Sequence, residues 1–131
     1  MGTRPSNTTA VCYVDGAAMA RRAALVVCNS GSPTTHQAQA EGCPVLAVPT
    51  NLDQYLNMEG VQAAGAGQVL RTHRLKPQYV RETAARMLVH PRWRVAADGL
   101  RDQLARYDAR ARFVALMDGL RTAGTAPSGS R

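Results

Sequence analysis

Five residues with hydrogen-bonding chemistry crowd into one short stretch of this sequence. They are Asn29, Gly31, Ser32, Thr34 and Thr35 in N-S-G-S-P-T-T, between the apolar run A-A-L-V-V-C and H-Q-A-Q-A-E-G. An apolar run followed by Gly, Ser and Pro reads as a buried strand turning into a helix. Gly31 gives the turn backbone freedom. Ser32 is the expected N-cap and Pro33 the first helical residue, where a missing N–H costs nothing. The N–H groups of Thr34 and Thr35 are then expected to face outward at the positive end of the helix dipole, with two hydroxyls beside them. That combination is a cradle for phosphate. It is neither a Walker A loop, since no Gly-Lys-Ser/Thr follows, nor the G-x-G-x-x-G dinucleotide turn. Alone, such a turn is also compatible with a capped helix that binds nothing.

A second polar stretch, P-T-N-L-D-Q-Y-L-N, covers residues 49–57. Asp53 beside Gln54 supplies acceptors and donors in one place, the mixture that sugar hydroxyls need. Asp53 is also the expected cap of the following helix, and Asn57 lies one helical turn further on the same face.

These stretches need a scaffold. Residues 9–14 (T-A-V-C-Y-V) read as a strand, and Asp15 as the cap of a helix over 17–23. Residues 24–28 and 44–48 read as strands buried on both faces. A helix is expected over 33–41, ended by Gly42, another from Asp53 to about Ala64, ended by Gly65, and a short strand over 68–70. Strand and helix alternate, which predicts a parallel α/β sheet with right-handed crossovers. Both polar stretches then fall at the carboxyl edge of the sheet, where α/β folds bind ligands. Four strands are few for such a sheet, which suggests that a strand and helix belong upstream of Thr9. Beyond Leu70 no strand is evident. Pro77 opens an expected helix to Val89, with Val80, Ala84, Met87 and Leu88 on one face. Leu100, Leu104, Tyr107, Ala111, Val114 and Met117 then form an amphipathic stripe, expected to pack on the sheet or on a further domain. The expected organisation is a disordered lead over 1–8, one domain over 9–121 and a disordered tail over 122–131.

The 131 residues suit one domain, with no run of the ~20 apolar residues a membrane span needs. The N-terminus has no secretory pattern. Cys12, Cys28 and Cys43 form no C-x-x-C and are odd in number, so all three read as buried free thiols in a reducing compartment, which points to the cytoplasm. Residues 1–70 hold three basic and four acidic side chains, net −1, whereas residues 71–131 hold thirteen and five, net +8. That half could face nucleic acid through Arg92, Arg94 and Arg101, but no aromatic pairs interleave with the arginines for base stacking, so a solvated, Arg-rich helical surface is the favoured reading. His36, His73 and His90 make no zinc spacing with the cysteines, and no metal site is expected.

Together, the two polar stretches are far more specific than either alone. G-S-P-T-T-H-Q-A-Q-A-E-G-C-P-V-L-A-V-P-T-N-L-D-Q-Y-L-N resembles the donor-binding pattern of GT-B glycosyltransferases related to the UDP-glucuronosyltransferases. Members read roughly H-x-G-x-x-T-x-x-E-A-x-x-x-G-x-P, then x-x-P-x-x-x-D-Q-x-x-N. Gly31, Thr34, Ala38, Gly42, Pro44, Pro49, Asp53, Gln54 and Asn57 fall in register. The resemblance covers about residues 9–72 and is looser to about 121. It implies a Rossmann-like α/β domain, the C-terminal half of a GT-B fold followed by helices. It implies transfer of a hexose from a UDP- or dTDP-type sugar to a small-molecule or lipid acceptor, with no cofactor besides that donor. Asn29, Gly31, Ser32, Thr34 and Thr35 would hold the diphosphate. Asp53, Gln54 and Asn57 would hold the sugar, and Tyr13, Val14 and Gln37 the nucleoside. The sequence departs from the pattern at Asn29, where the family has His, at Gln37, where it often has Glu, and at Asp15-Gly16, where it has Pro-Gln. The catalytic base, usually a His, belongs to an N-terminal acceptor domain, and none of the three histidines here matches it. The chain alone is therefore expected to be inactive; the alternative reading is a catalytically silent nucleotide-binding module that needs a separate N-terminal chain.

Overall fold

The computed structural model describes residues 5–123. Three short strands, β1 (Val26–Cys28), β2 (Val45–Ala47) and β3 (Gly67–Val69), form a parallel sheet in the order β1-β2-β3. Val26, Val45 and Gly67 stand in one row across it, and Cys28, Ala47 and Val69 in another. Among the described residues there are six helices: α1 (Gly16–Arg22), α2 (Ser32–Ala40), α3 (Leu52–Ala63), α4 (Pro77–Val89), α5 (Arg92–Ala105) and α6 (Ala109–Ala123). A 3-10 turn, Thr72–Arg74, joins β3 to α4. Among the described residues no helix is long and apolar enough to cross a membrane.

The strand alternation divides the core. Val45 and Ala47 point to one face and pack with Ala38 of α2, Met58 and Val61 of α3, and Ala97 of α5. Leu46 points the other way, into a smaller cluster with Met87 of α4 and Trp93 of α5. All of β2 is buried, as a central strand covered on both faces must be. The two crossover helices lie on the same face because consecutive parallel strands take right-handed crossovers. Small residues at Ala38 and Ala97 let helices approach closely. Gly67 leaves room for the Met58 and Val61 side chains, which a Cβ there would strike. Gly42 (φ 66°) and Gly65 (φ 76°) end α2 and α3 in the left-handed region.

Several expectations change. The first strand spans only Val26–Cys28 and is not buried on both faces, since Val27 is half exposed. Residues 9–14 form no strand and are exposed throughout, with Cys12 exposed as well. A strand needs a neighbour for its backbone N–H and C=O groups, and among the described residues none lies beside this segment. The sheet therefore has three strands, not four. The stripe from Leu100 to Met117 is broken between α5 and α6. Leu100 packs against the core, but Leu104, Tyr107, Val114 and Met117 stay exposed. In α4, Leu88 is exposed, while Thr83 and Met87 are buried. The last helix also takes in Thr122 and Ala123, past the expected start of the tail. The remainder of that tail, and residues 1–4 of the lead, lie outside the described residues.

Candidate functional site

Both polar stretches leave the carboxyl ends of neighbouring strands, β1 and β2. The first turn is built differently from the expectation. Gly31 sits at φ −58°, ψ 142° and is itself the N-cap, without a side-chain cap bond, so Ser32 is the first helical residue. The left-handed residue is Ser30, with φ 63°. A non-glycine there is uncommon and costs energy that surrounding bonds must offset. Those bonds are visible. Ser30 is fully buried. Its hydroxyl lies 2.5 Å from the Asn29 carbonyl and 2.9 Å from the Gln54 carbonyl. Asn57 Nδ2 donates to the Ser30 carbonyl at 3.2 Å. Ser30 thus joins the two loops. Sequence reading missed it because a serine between Asn and Gly looks like ordinary turn filler.

The shift of the cap by one residue changes which groups are free. The Thr35 N–H already bonds the Gly31 carbonyl at 3.1 Å, and its side chain is buried, 1% exposed, with Oγ1 unpartnered. Thr35 therefore does not reach the mouth as expected. The unbonded first-turn donors are the N–H groups of Ser32 and Thr34, since Pro33 has none. Asn29 Oδ1 accepts from the Gly31 N–H at 3.1 Å, which leaves its Nδ2 as the outward donor. A Cβ on Gly31 would meet only Asn29 Oδ1, at 3.5 Å. What Gly31 provides is open approach to the helix end, and the turn itself does not depend on it.

The second stretch is similarly wired. Asn51, and not Asp53, caps α3, its side chain accepting from the Gln54 N–H at 3.0 Å. Asp53 sits in the first turn, exposed, with Asn57 Nδ2 3.5 Å from its Oδ2. Among the described residues the Asp53 Oδ1 has no hydrogen-bond partner. Gln54 Oε1 accepts from the Thr50 N–H at 2.7 Å and its hydroxyl at 3.0 Å, leaving the Nε2 end free. Asn57 is half-buried and braces the loops more than it faces outward.

The third group converges as well. Tyr13, Val14, Thr34 and Gln37 line one cleft of about 510 Å3 with Met19 and Val26. Tyr13, although it lines the cleft, is 88% exposed. Asp15 caps α1, accepting from the Ala17 and Ala18 N–H groups, so it is engaged at the cleft's edge. The Gln37 amide lies so close to Gly16 that a Cβ there would clash with Oε1. Thr34 belongs to both the cleft and the α2 mouth, which makes the two continuous.

The basic residues weighed for nucleic acid are engaged elsewhere. Arg101 pairs with Asp98 and Asp102, Arg94 donates to the Ala23 carbonyl, and Arg92 stacks on Trp93 at 4.7 Å.

Residues 1–120 match the family described as Erythromycin biosynthesis protein CIII-like, C-terminal domain. This chain belongs to that family. It is 48% identical over 104 residues to a PGL/p-HBAD biosynthesis rhamnosyltransferase of Mycobacterium bovis, a match covering 79% of this chain and 23% of that protein. It is 28% identical over 116 residues to the 3-alpha-mycarosylerythronolide B desosaminyl transferase of Saccharopolyspora erythraea, covering 88% and 28%. Among solved structures it resembles the spinosyn forosaminyltransferase SpnP, with a TM-score of 0.84 at 25% identity over 92% of this chain and 32% of that one. It also resembles the glycosyltransferase VinC, solved in complex with dTDP, with a TM-score of 0.76 at 27% identity over 80% and 27%. The fold is that of the C-terminal half of GT-B glycosyltransferases. The chain spans about a quarter of the length of the curated relatives it matches.

Proposed function

We propose that this domain binds the donor in transfer of a hexose from a UDP- or dTDP-type sugar to a small-molecule or lipid acceptor. The observation that carries this reading is the continuity of three groups along one sheet edge. The nucleoside lies in the cleft of Tyr13, Val14 and Gln37. The diphosphate meets the Ser32 and Thr34 N–H groups, their hydroxyls and Asn29 Nδ2. The sugar hydroxyls meet Asp53 and Gln54 Nε2, with Asn57 holding both loops. The complex of VinC with dTDP makes dTDP the first nucleotide to test.

When the anomeric carbon–oxygen bond breaks, negative charge grows on the departing diphosphate. Donors fixed beforehand at the α2 N-terminus stabilise that charge more than they stabilise the intact donor, which is how a preorganised site accelerates a reaction. Asn29 supplies a neutral hydrogen bond in place of the positive charge a protonated His would bring. The base that deprotonates the acceptor, and the acceptor site, come from a preceding domain. Three unpaired cysteines support a reducing, cytoplasmic setting.

The test is an NMR titration of the labelled chain with dTDP, UDP and GDP, then with their sugars. Saturable shifts at residues 29–34 and 13–16, extended to Asp53 and Gln54 by the sugar, are expected. A folded chain that shows none at millimolar nucleotide would overturn the donor assignment.

A further inference from the structure

The cleft of about 690 Å3 beyond the carboxyl end of β3 shares no residue with the donor loops. Arg71, His73 and Lys76 line it, and no acidic side chain does. Among the described residues none of these three has an ion pair or side-chain hydrogen bond. Several other basic side chains of the fold are engaged: Arg21 holds Glu41, Arg101 holds Asp98, and Arg86 donates to Gln68. Arg71 and Lys76 thus place two positive charges at a concave site lined by no counter-charge, which raises the local concentration of anions. The cleft also lies at the start of α4, whose dipole adds to the same field.

The walls are not polar throughout. Leu70, Leu75 and Tyr79 line the same cleft. Leu75 and Tyr79 remain 41% and 40% exposed, so an apolar body seated there would remove their surface from water. The position agrees with the rule that open α/β sheets bind ligands beyond the carboxyl ends of their strands.

We propose that this cleft binds a small amphiphilic anion: an apolar ring or short chain carrying one carboxylate or phosphate. The anionic group sits among Arg71, His73 and Lys76, and the apolar body covers Leu75 and Tyr79. The inference stands independently of donor binding, because none of the residues is shared.

The test is an NMR titration of the labelled chain with phenyl phosphate, benzoate, inorganic phosphate and benzyl alcohol. Saturable shifts at residues 69–79 are expected for both phenyl anions, with phenyl phosphate binding about ten-fold more tightly than inorganic phosphate. Benzyl alcohol should leave those resonances unmoved. The double variant Arg71→Gln/Lys76→Gln should lose at least about ten-fold in phenyl phosphate affinity, and raised salt should weaken binding to the unaltered chain. Shifts that appear at residues 29–34 instead, equal affinity for inorganic phosphate, or an unchanged double variant would each overturn the proposal. The comparison of the four ligands on the unaltered chain decides the matter even if the variant does not fold.

Discussion

The sheet with its two loops, and the last helix, were written in similar alphabets but met different fates. Both carry apolar residues at regular spacing. In the sheet region Val45, Leu46, Ala47 and Met58 are fully enclosed. In α6, Phe113, Leu116, Met117 and Leu120 are each about half exposed or more. The loops differ from α6 too. Ser30, Gln54 and Asn57 are tied across 24 and 27 residues of sequence, whereas in α6 the Thr122 hydroxyl bonds the Asp118 and Gly119 carbonyls of its own helix. A periodic apolar face therefore says that something should be covered, and only the tertiary partner says whether it is. Polar groups become a site where long-range bonds fix them.

Truncation of the two apolar sets should give the largest contrast. Met58→Ala removes a buried side chain through which α3 packs on the sheet, and is expected to cost about 2–5 kcal/mol. Leu116→Ala should change stability by less than about 0.5 kcal/mol. Urea denaturation of both variants checks this. Similar losses at both positions would mean that α6 packs on the domain after all. Amide exchange sharpens the same comparison: β2 should be protected to near the global stability, and α6 should exchange through local fraying.

Ser30→Val should have the next largest effect. It places a β-branched residue at φ 63° and removes the hydroxyl between the Asn29 and Gln54 carbonyls. A loss of about 1–3 kcal/mol is expected from strain and the unmade bond together. Dissection is possible with Ser30→Gly, which relaxes the backbone but still removes the hydroxyl. If the glycine variant is as weak as valine, the bond matters more than the conformation.

These positions also mark where sequence reading succeeded and stopped. The ends of α4, the caps at Asp15 and Gly42, and the places of the two loops were legible, because capping and strand patterns are local. Which residue caps was less so: Asn51 takes the role expected of Asp53, and Gly31 that expected of Ser32. Each is a slip of one or two positions between residues of similar capping strength. That slip decides whether the Thr35 N–H is free, so it matters more to the site than to the fold. Residues 9–14 were misread because β-branched composition carries no information about a neighbouring strand. The link from Ser30 to Gln54 was invisible, being a contact between distant positions.

Glycine variants separate shape from folding. Gly31→Ala meets nothing closer than 3.5 Å and should leave stability within about 0.5 kcal/mol. Its methyl group stands in the approach to the Ser32 and Thr34 N–H groups, so nucleotide diphosphate affinity should fall while nucleoside affinity holds. Gly16→Ala should do the reverse, displacing the flexible Gln37 side chain from the nucleoside cleft. Equal effects of both variants on both ligands would break the division of the site into a nucleoside part and a diphosphate part.

The smallest effect concerns the pair that joins α1 to α2. Arg21 Nε and Nη2 each lie 2.9 Å from a Glu41 carboxylate oxygen. The Arg21 hydrogen bond holds the Glu41 carboxyl below its usual range, and its partner raises the Arg21 guanidinium further. A depressed carboxyl stabilises the fold above its unfolded pKa, and that contribution disappears as pH falls through the lower folded value. The pair is solvent-exposed, so its weight in stability is small and screened by salt. Glu41→Gln should thus lower the unfolding midpoint slightly at pH 7, and the difference from the unaltered chain should vanish once the pH has fallen through the lowered Glu41 value. A difference that persists there would show that the carboxylate's charge is not its cause. Because α1 and α2 form opposite walls of the Tyr13–Gln37 cleft, the same variant should weaken nucleoside binding more than it weakens the fold. That outcome would place the pair's role in holding the cleft's width.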